Sequence, residues 1–111
     1  MKRSYNQKES GVEFAQIGKY TVHYLNQTLE IDNEILRLSV RETELLKLLV
    51  TNKNKILQRK ETLKELWGSS DYFNRRSMDV YVSKLRKYLS KDKSIKITNI
   101  HGKGFILSDS N

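Results

Sequence analysis

The residues best suited to chemistry lie between Arg75 and Ser90, and the chemistry they suit is recognition rather than bond-making. Met78, Val82, Leu85 and Leu89 recur at i, i+4, i+7 and i+11, one stripe of an α-helix. The other side presents Ser77, Val80, Tyr81, Lys84, Lys87 and Tyr88 at spacings of three and four. That side is short of acids, whereas a merely solvated face would more often interleave Glu with Lys. Lysine can donate to guanine acceptors, serine and tyrosine to phosphate oxygens, and valine can pack on a thymine methyl. The competing reading is an ordinary basic surface helix.

Arg75 and Arg76 fall at the expected start of this helix, with Asn74 as its N-cap. Their charges oppose the positive end of the helix dipole, so helix stability does not explain them. A phosphate at that end would be gripped by backbone N–H groups and both guanidinium groups. Asp79, placed in the first turn, reads as complementation of the dipole and hence as structural.

A second candidate is the segment IHGKGF, read as the tip of a closing β-hairpin. A phosphate-cradling loop would need more glycines and a strand running into a helix, so a nucleotide loop is rejected. Two glycines that permit a tight turn, with His101 and Lys103 projecting, fit a hairpin that touches nucleic-acid backbone or minor groove. A surface histidine without function explains His101 equally well. His23 sits in an expected strand without a cluster of partners, so a metal site is not expected. Trp67 closes an apolar helix face and reads as core, while Tyr5, Tyr20, Tyr24 and Tyr72 carry no usable pattern. No nucleophile–base pair or paired carboxylates converge, so an enzyme is the weakest reading and no cofactor is expected.

The elements that must position these groups follow from pattern. Phe14 to Leu38 contains three or four short strands (around YTVHYL, TLEID and EILRL) separated by turn signals at Gly18-Lys19, Asn26-Gln27 and Asp32-Asn33. Ser39 followed by Glu42 has the spacing of a capping box. It opens a helix over Val40 to Thr51 with Leu45, Leu46, Leu48 and Leu49 on one face. A second helix spans about Arg59 to Trp67, turns Leu63, Leu66 and Trp67 inward, and stops at Gly68. The third runs from Arg75 to Ser90, and KITNI and FILS form the hairpin. The order is sheet, three helices, hairpin. Residues 1–11 are polar and aperiodic, a flexible leader or linker remnant, and 12–111 form one domain.

Length and charge agree. With 111 residues and 37% hydrophobic content the chain supports one modest core. Its net charge of +8 favours a polyanionic partner, nucleic acid or an anionic membrane surface. The charge is local: residues 1–35 hold four basic and five acidic side chains, Arg75 to Lys103 nine and two. The absence of cysteine excludes disulfides and thiolate sites. No apolar run is long enough to span a bilayer, and MKRSYNQKES lacks the apolar segment of a signal peptide, so a cytoplasmic location is expected.

Four segments carry a resemblance: LSVRETELLKLLVTN, RKETLKELWG, RRSMDVYVSKLRKYL and ITNIHGKGFIL. Together they resemble the C-terminal DNA-binding effector domain of OmpR/PhoB-type response regulators, over roughly residues 12–108. The resemblance implies an α+β winged helix-turn-helix: an N-terminal four-stranded antiparallel sheet, three helices and a C-terminal hairpin wing. It implies that the third helix enters the major groove and the wing approaches the minor groove. The DNA-facing residues are then Arg75, Arg76, Ser77, Val80, Tyr81, Ser83, Lys84 and Lys87, with His101 and Lys103 on the wing. The connection Gly68, Ser69, Ser70, Asp71, Tyr72, Phe73, Asn74 corresponds to the loop with which such proteins often engage RNA polymerase. Two copies usually occupy directly repeated half-sites, under control of a receiver domain phosphorylated by a sensor kinase.

Three positions depart from the family pattern. His101 stands where arginine is usual, which weakens minor-groove insertion. Ser83 replaces a common basic residue, which implies fewer phosphate contacts or another site preference. Gln58 replaces a serine N-cap, so the second helix starts less firmly. No receiver or phosphoacceptor can be assigned, and an isolated effector domain cut from a longer regulator is expected, monomeric until it pairs on DNA. The alternatives are a basic RNA- or ribosome-binding protein, which would favour aromatics on a sheet for base stacking, and a winged helix used only for protein docking, which would lack the basic third helix.

Overall fold

The computed structural model describes residues 13–109; the leader expected over 1–11, with Tyr5, lies outside the described residues. Strands β1 (Phe14–Ile17), β2 (Tyr20–His23), β3 (Thr28–Ile31) and β4 (Glu34–Arg37) form an antiparallel meander in sequence order. All three turn sites carry left-handed residues, Gly18, Gln27 and the Asp32-Asn33 pair, the last giving two consecutive positive φ values of 50° and 69°. That is the geometry of a two-residue hairpin turn whose twist matches its strands. Alternation then turns Ile17, Tyr20, Val22, Leu29 and Ile31 inward, while all four residues of β4 stay exposed. Strand β2 ends at His23, two residues before the expected Leu25, because Tyr24 to Asn26 already turn the chain.

Helix α1 (Val40–Thr51) starts on the expected capping box: Glu42 N donates to Ser39 Oγ at 3.1 Å and Ser39 N to Glu42 Oε1 at 2.7 Å. Helix α2 (Arg59–Trp67) ends at Gly68, which takes φ 89° as a left-handed cap. Helix α3 spans Tyr72–Tyr88, one turn earlier at its start than the sequence reading placed it. Its N-cap is Asp71, whose carboxylate accepts from Asn74 N at 2.9 Å; Asn74 lies inside the first turn. The stripe Met78, Val82, Leu85 and Leu89 is buried, and it meets Leu45, Leu46 and Leu49 of α1 and Leu63 of α2 in one core.

The closing hairpin, β6 (Lys96–Ile100) and β7 (Gly104–Ser108), gains a strand that periodicity could not show. Leu57 and Gln58 form β5, which pairs with Phe105 and Gly104, giving the order β5-β7-β6. Gly104 is required here for space rather than for its φ. A Cβ on it would collide with the Leu57 carbonyl.

Two carboxylates tie the meander to the other end of the molecule. Asp92, after α3, accepts from Lys19 N at 2.7 Å, and from Ser94 N at 2.9 Å and Oγ at 2.7 Å. Asp109 accepts from Gly18 N at 2.9 Å and faces Lys53 Nζ at 3.4 Å. Tyr20, which carried no sequence signal, is a fully buried core residue whose hydroxyl accepts from Lys91 N at 3.0 Å. The Lys91 ammonium also pairs with Glu34.

Candidate nucleic-acid interface

The exposed side of α3 presents Arg76, Val80, Ser83, Lys84 and Lys87 along a shallow groove, with Asp79 at its edge. A second concavity separates α3 from the hairpin tip. Arg59, Tyr72, Arg75, Arg76, Asn99 and His101 stand around it. The tip residues His101, Gly102 and Lys103 are exposed, with Gly102 at φ 71°. Helix face and tip therefore form one continuous basic surface. Among the described residues, Arg75, Arg76, Lys84, Lys87 and Lys103 form no salt bridge with a carboxylate.

Several residues assigned to this surface point elsewhere. Trp67 Nε1 donates to Ser77 Oγ at 3.1 Å, which turns that hydroxyl toward α2 and away from the groove. Tyr81 is half-buried with its ring edge-on to Trp67, 5.7 Å between centroids, and the Lys84 ammonium lies 5.5 Å from the Tyr81 ring centre. Tyr88 is half-buried and donates to Glu42 Oε2 at 3.1 Å; burial, with the Glu42 carboxylate beside it, raises its phenol pKa. The spacing was right for a helix face, but a helix has two flanks, and the flanking aromatics close the core.

The earlier helix start also moves Arg75 and Arg76 into the second turn. The Arg75 guanidinium reaches back to Ser70 O at 3.4 Å, and that of Arg76 to Tyr72 Oη at 3.3 Å. The helix terminus itself is occupied by Asp71, whose carboxyl is held below its usual range by the Asn74 amide and the Ser69 hydroxyl. The terminal amide of Asn74, expected to help grip a phosphate, donates instead to the Asp71 carboxylate. Asp79, expected in the first turn, lies two turns in and pairs with Arg59 at 2.9 Å rather than with the dipole.

Two side chains that the sequence reading did not single out set the geometry. Arg86 donates through Nε at 3.0 Å and Nη2 at 2.8 Å to Ile97 O, fixing the end of α3 to the hairpin. Arg59 lies over the Phe105 ring at 4.8 Å, and its backbone N–H donates to Lys103 O at 2.8 Å. The RKETLKELW run of α2 gives no hint of that reach, because it depends on β5 lying beside β7.

The connection between α2 and α3, expected over Gly68 to Asn74, is shorter than expected. Gly68, Ser69, Ser70 and Asp71 connect the helices, with Ser69 Oγ donating to Asp71 Oδ2 at 3.0 Å, while Tyr72, Phe73 and Asn74 form the first turn of α3. Phe73 is 79% exposed, with Tyr72 packed edge-on beside it. His23 has a cross-strand partner, Glu30 at 3.3 Å, and among the described residues no group of three metal-ligating side chains assembles. Among the described residues no helix is long and apolar enough to cross a membrane.

Comparison with known proteins agrees with this geometry. Residues 32–107 match the family model described as transcriptional regulatory protein, C terminal. The chain is 50% identical over 105 residues to the transcriptional regulatory protein RprY of Bacteroides fragilis, covering 95% of this chain but 44% of that protein. The DNA-binding domain of CpxR from E. coli superposes with a TM-score of 0.77 at 22% identity, over 88% of this chain and 98% of that one. The Klebsiella pneumoniae RstA DNA-binding domain, solved in complex with RstA box, gives 0.71 at 28% identity over 87% and 98%. The chain belongs to the transcriptional regulatory protein, C-terminal family, and shares the winged-helix fold of these DNA-binding domains.

Proposed function

We propose that residues 12–111 act as one unit that reads duplex DNA, with α3 in the major groove and the β6–β7 wing over the adjoining backbone. The observation that carries this is a set of cations on one face with no carboxylate partner among the described residues. Arg76, Lys84 and Lys87 on α3 and Lys103 on the wing point outward together, with Val80 and Ser83 between them. Lys84 is the base reader in this reading, and Arg76 contacts phosphate. Binding to duplex should weaken steeply as salt rises, because each neutralised phosphate releases counterions. Displacement of the duplex by single-stranded RNA at equal concentration would overturn the assignment.

The same reading extends to partners. The exposed Tyr72 and Phe73 beside Gly68 to Asp71 supply a protein-docking corner suited to RNA polymerase. Control comes from a receiver domain phosphorylated by a sensor kinase. The domain alone is a monomer that pairs on directly repeated half-sites. Two copies joined by a flexible linker should then bind a two-half-site duplex about 100-fold tighter or more than one copy, through effective concentration. A stable dimer in sedimentation without DNA, or no gain from the linked pair, would reject this pairing scheme.

A further inference from the structure

Between Arg75 and Lys103 the chain carries nine basic residues and two acidic ones. One acid, Asp92, is buried and its oxygens are committed to Lys19 and Ser94. The other, Asp79, behaves differently. Its side chain is 57% exposed and lines both the groove over α3 and the cleft toward the wing. A carboxylate on a surface meant for a polyanion repels that partner, so its cost must be offset by something it does there.

Half of the offset is visible. Asp79 Oδ1 pairs with Arg59 Nη1 at 2.9 Å, and Arg59 is itself held on the Phe105 ring with its side chain only 19% exposed. The pair therefore fixes the direction of the carboxylate and neutralises much of its charge toward phosphates. The remaining oxygen, Oδ2, has no hydrogen-bonding partner among the described residues. It stands on the helix face with Arg76 three residues before and Ser83 four after, and Val80 adjacent. An oriented acceptor within a row of donors is what reading a base amino group requires.

We infer that Asp79 is a specificity-determining residue, accepting a hydrogen bond through Oδ2 from cytosine N4 in the major groove while Arg59 holds and neutralises it. This rests on the reading above that α3 enters the major groove. Loss of the carboxylate should have two opposite effects. Binding to random duplex tightens, because a like charge has been removed from the interface. Discrimination narrows, because one base is no longer read. A residue that served only to hold Arg59 would lose both kinds of binding together.

The test is selection from a random duplex pool by the wild-type domain, D79A and D79N, with titration of selected and random duplexes. The wild type should fix cytosine at one position. D79A should lose preference there alone, with discrimination reduced at least about fivefold and random-duplex binding tightened a few-fold. D79N keeps the side chain's shape, so it remains informative should D79A fold poorly. Asparagine pairs with adenine N6 and N7, so D79N should move the preference at that position from cytosine to adenine. Recovery of one unchanged motif by all three proteins overturns the role of Asp79 while leaving DNA reading intact. Uniform weakening with unchanged preference does the same, reducing Asp79 to a support for Arg59. Failure of the wild type to select any motif would instead overturn the DNA-reading assignment on which the inference stands.

Discussion

The N-terminal meander and the α3–wing face differ in what their polar groups do. In the meander region, charges are absorbed locally: His23 meets Glu30, Lys91 meets Glu34, and the β1–β2 turn is held by Asp92 and Asp109. On the α3–wing face, Arg75, Arg76, Lys84, Lys87 and Lys103 are left without carboxylates among the described residues. One region is satisfied within the fold and the other only by a partner. Clustered like charge without partners destabilises the folded state somewhat, so the core beneath must compensate. Substitutions should therefore separate into those that move stability and those that move DNA affinity.

Gly104→Ala should produce the largest effect, because it lies where the two functions meet. The added methyl collides with the Leu57 carbonyl, an atom of a paired strand that cannot step aside. Separation of β5 from β7 should cost about 3–5 kcal/mol, the range of severe single substitutions. The wing should lose its fixed position as well, and with it DNA affinity. Gly102→Ala is the contrast: nothing crowds a Cβ there, and only its φ of 71° opposes the change. A penalty of about 1–2 kcal/mol is expected. Urea midpoints of the two variants check the order. Equal penalties would show that conformation, not the β5 contact, governs this hairpin.

The face should split next. Lys84→Ala should lower discrimination between selected and random duplex by about 1–3 kcal/mol, with little change in melting temperature. Arg76→Ala should weaken both duplexes alike and flatten the salt dependence by about one phosphate contact. Equal loss on both duplexes for Lys84→Ala would reassign the reading side of α3.

How much of this was legible depended on whether the signal was local. The capping box at Ser39 and Glu42, the Gly68 stop and the stripe Met78 to Leu89 are set by neighbours within a turn, and the structure bears them out. The start of α3 was misplaced because Asn74 and Asp71 both suit an N-cap. Asp71 prevails with Ser69 beside it and Asn74 bonded back to Ser69 O at 3.1 Å. The two-residue β5, the buried Tyr20 hydroxyl and the Arg59–Asp79 pair are contacts between distant segments, and no periodicity announces them. Ser77 shows the same limit, since the donor to its hydroxyl, Trp67 Nε1, lies on another helix.

Acid should weaken the tie between the meander and the end of α3. The Ser94 hydroxyl and amide, with the Lys19 amide, hold the Asp92 carboxyl below its ordinary range. A group with a lowered folded pKa contributes stability above its unfolded value, about 3.9, and loses it as pH falls through the folded value. Asp71 shifts in the same direction. Thermal midpoints should thus hold from neutral pH down to about 4 for these groups and fall below that. Asp92→Asn should start lower and show a shallower acid limb. An unchanged acid limb in that variant would remove Asp92 from the account.

The smallest expected effect compares the two helix starts directly. Ser39 and Glu42 close a capping box on α1, whereas α2 begins on Gln58, which makes no side-chain cap, although Glu61 already stands three residues on. Gln58 is exposed and has φ −65° and ψ 122°, an extended conformation open to any cap residue. Gln58→Ser should therefore complete the box, its hydroxyl accepting from Glu61 N and the Glu61 carboxylate reaching the backbone of residue 58. A gain of about 0.5–1 kcal/mol follows, which in a domain of this size raises the melting temperature by roughly 2–6 °C. Duplex affinity should stay within error, since residue 58 is absent from both concavities of the binding face. A lower melting temperature would mean that the glutamine contributes more to the β5 pairing than a cap returns. Altered affinity at unchanged stability would place the start of α2 in the DNA interface itself, extending the binding face beyond α3 and the wing.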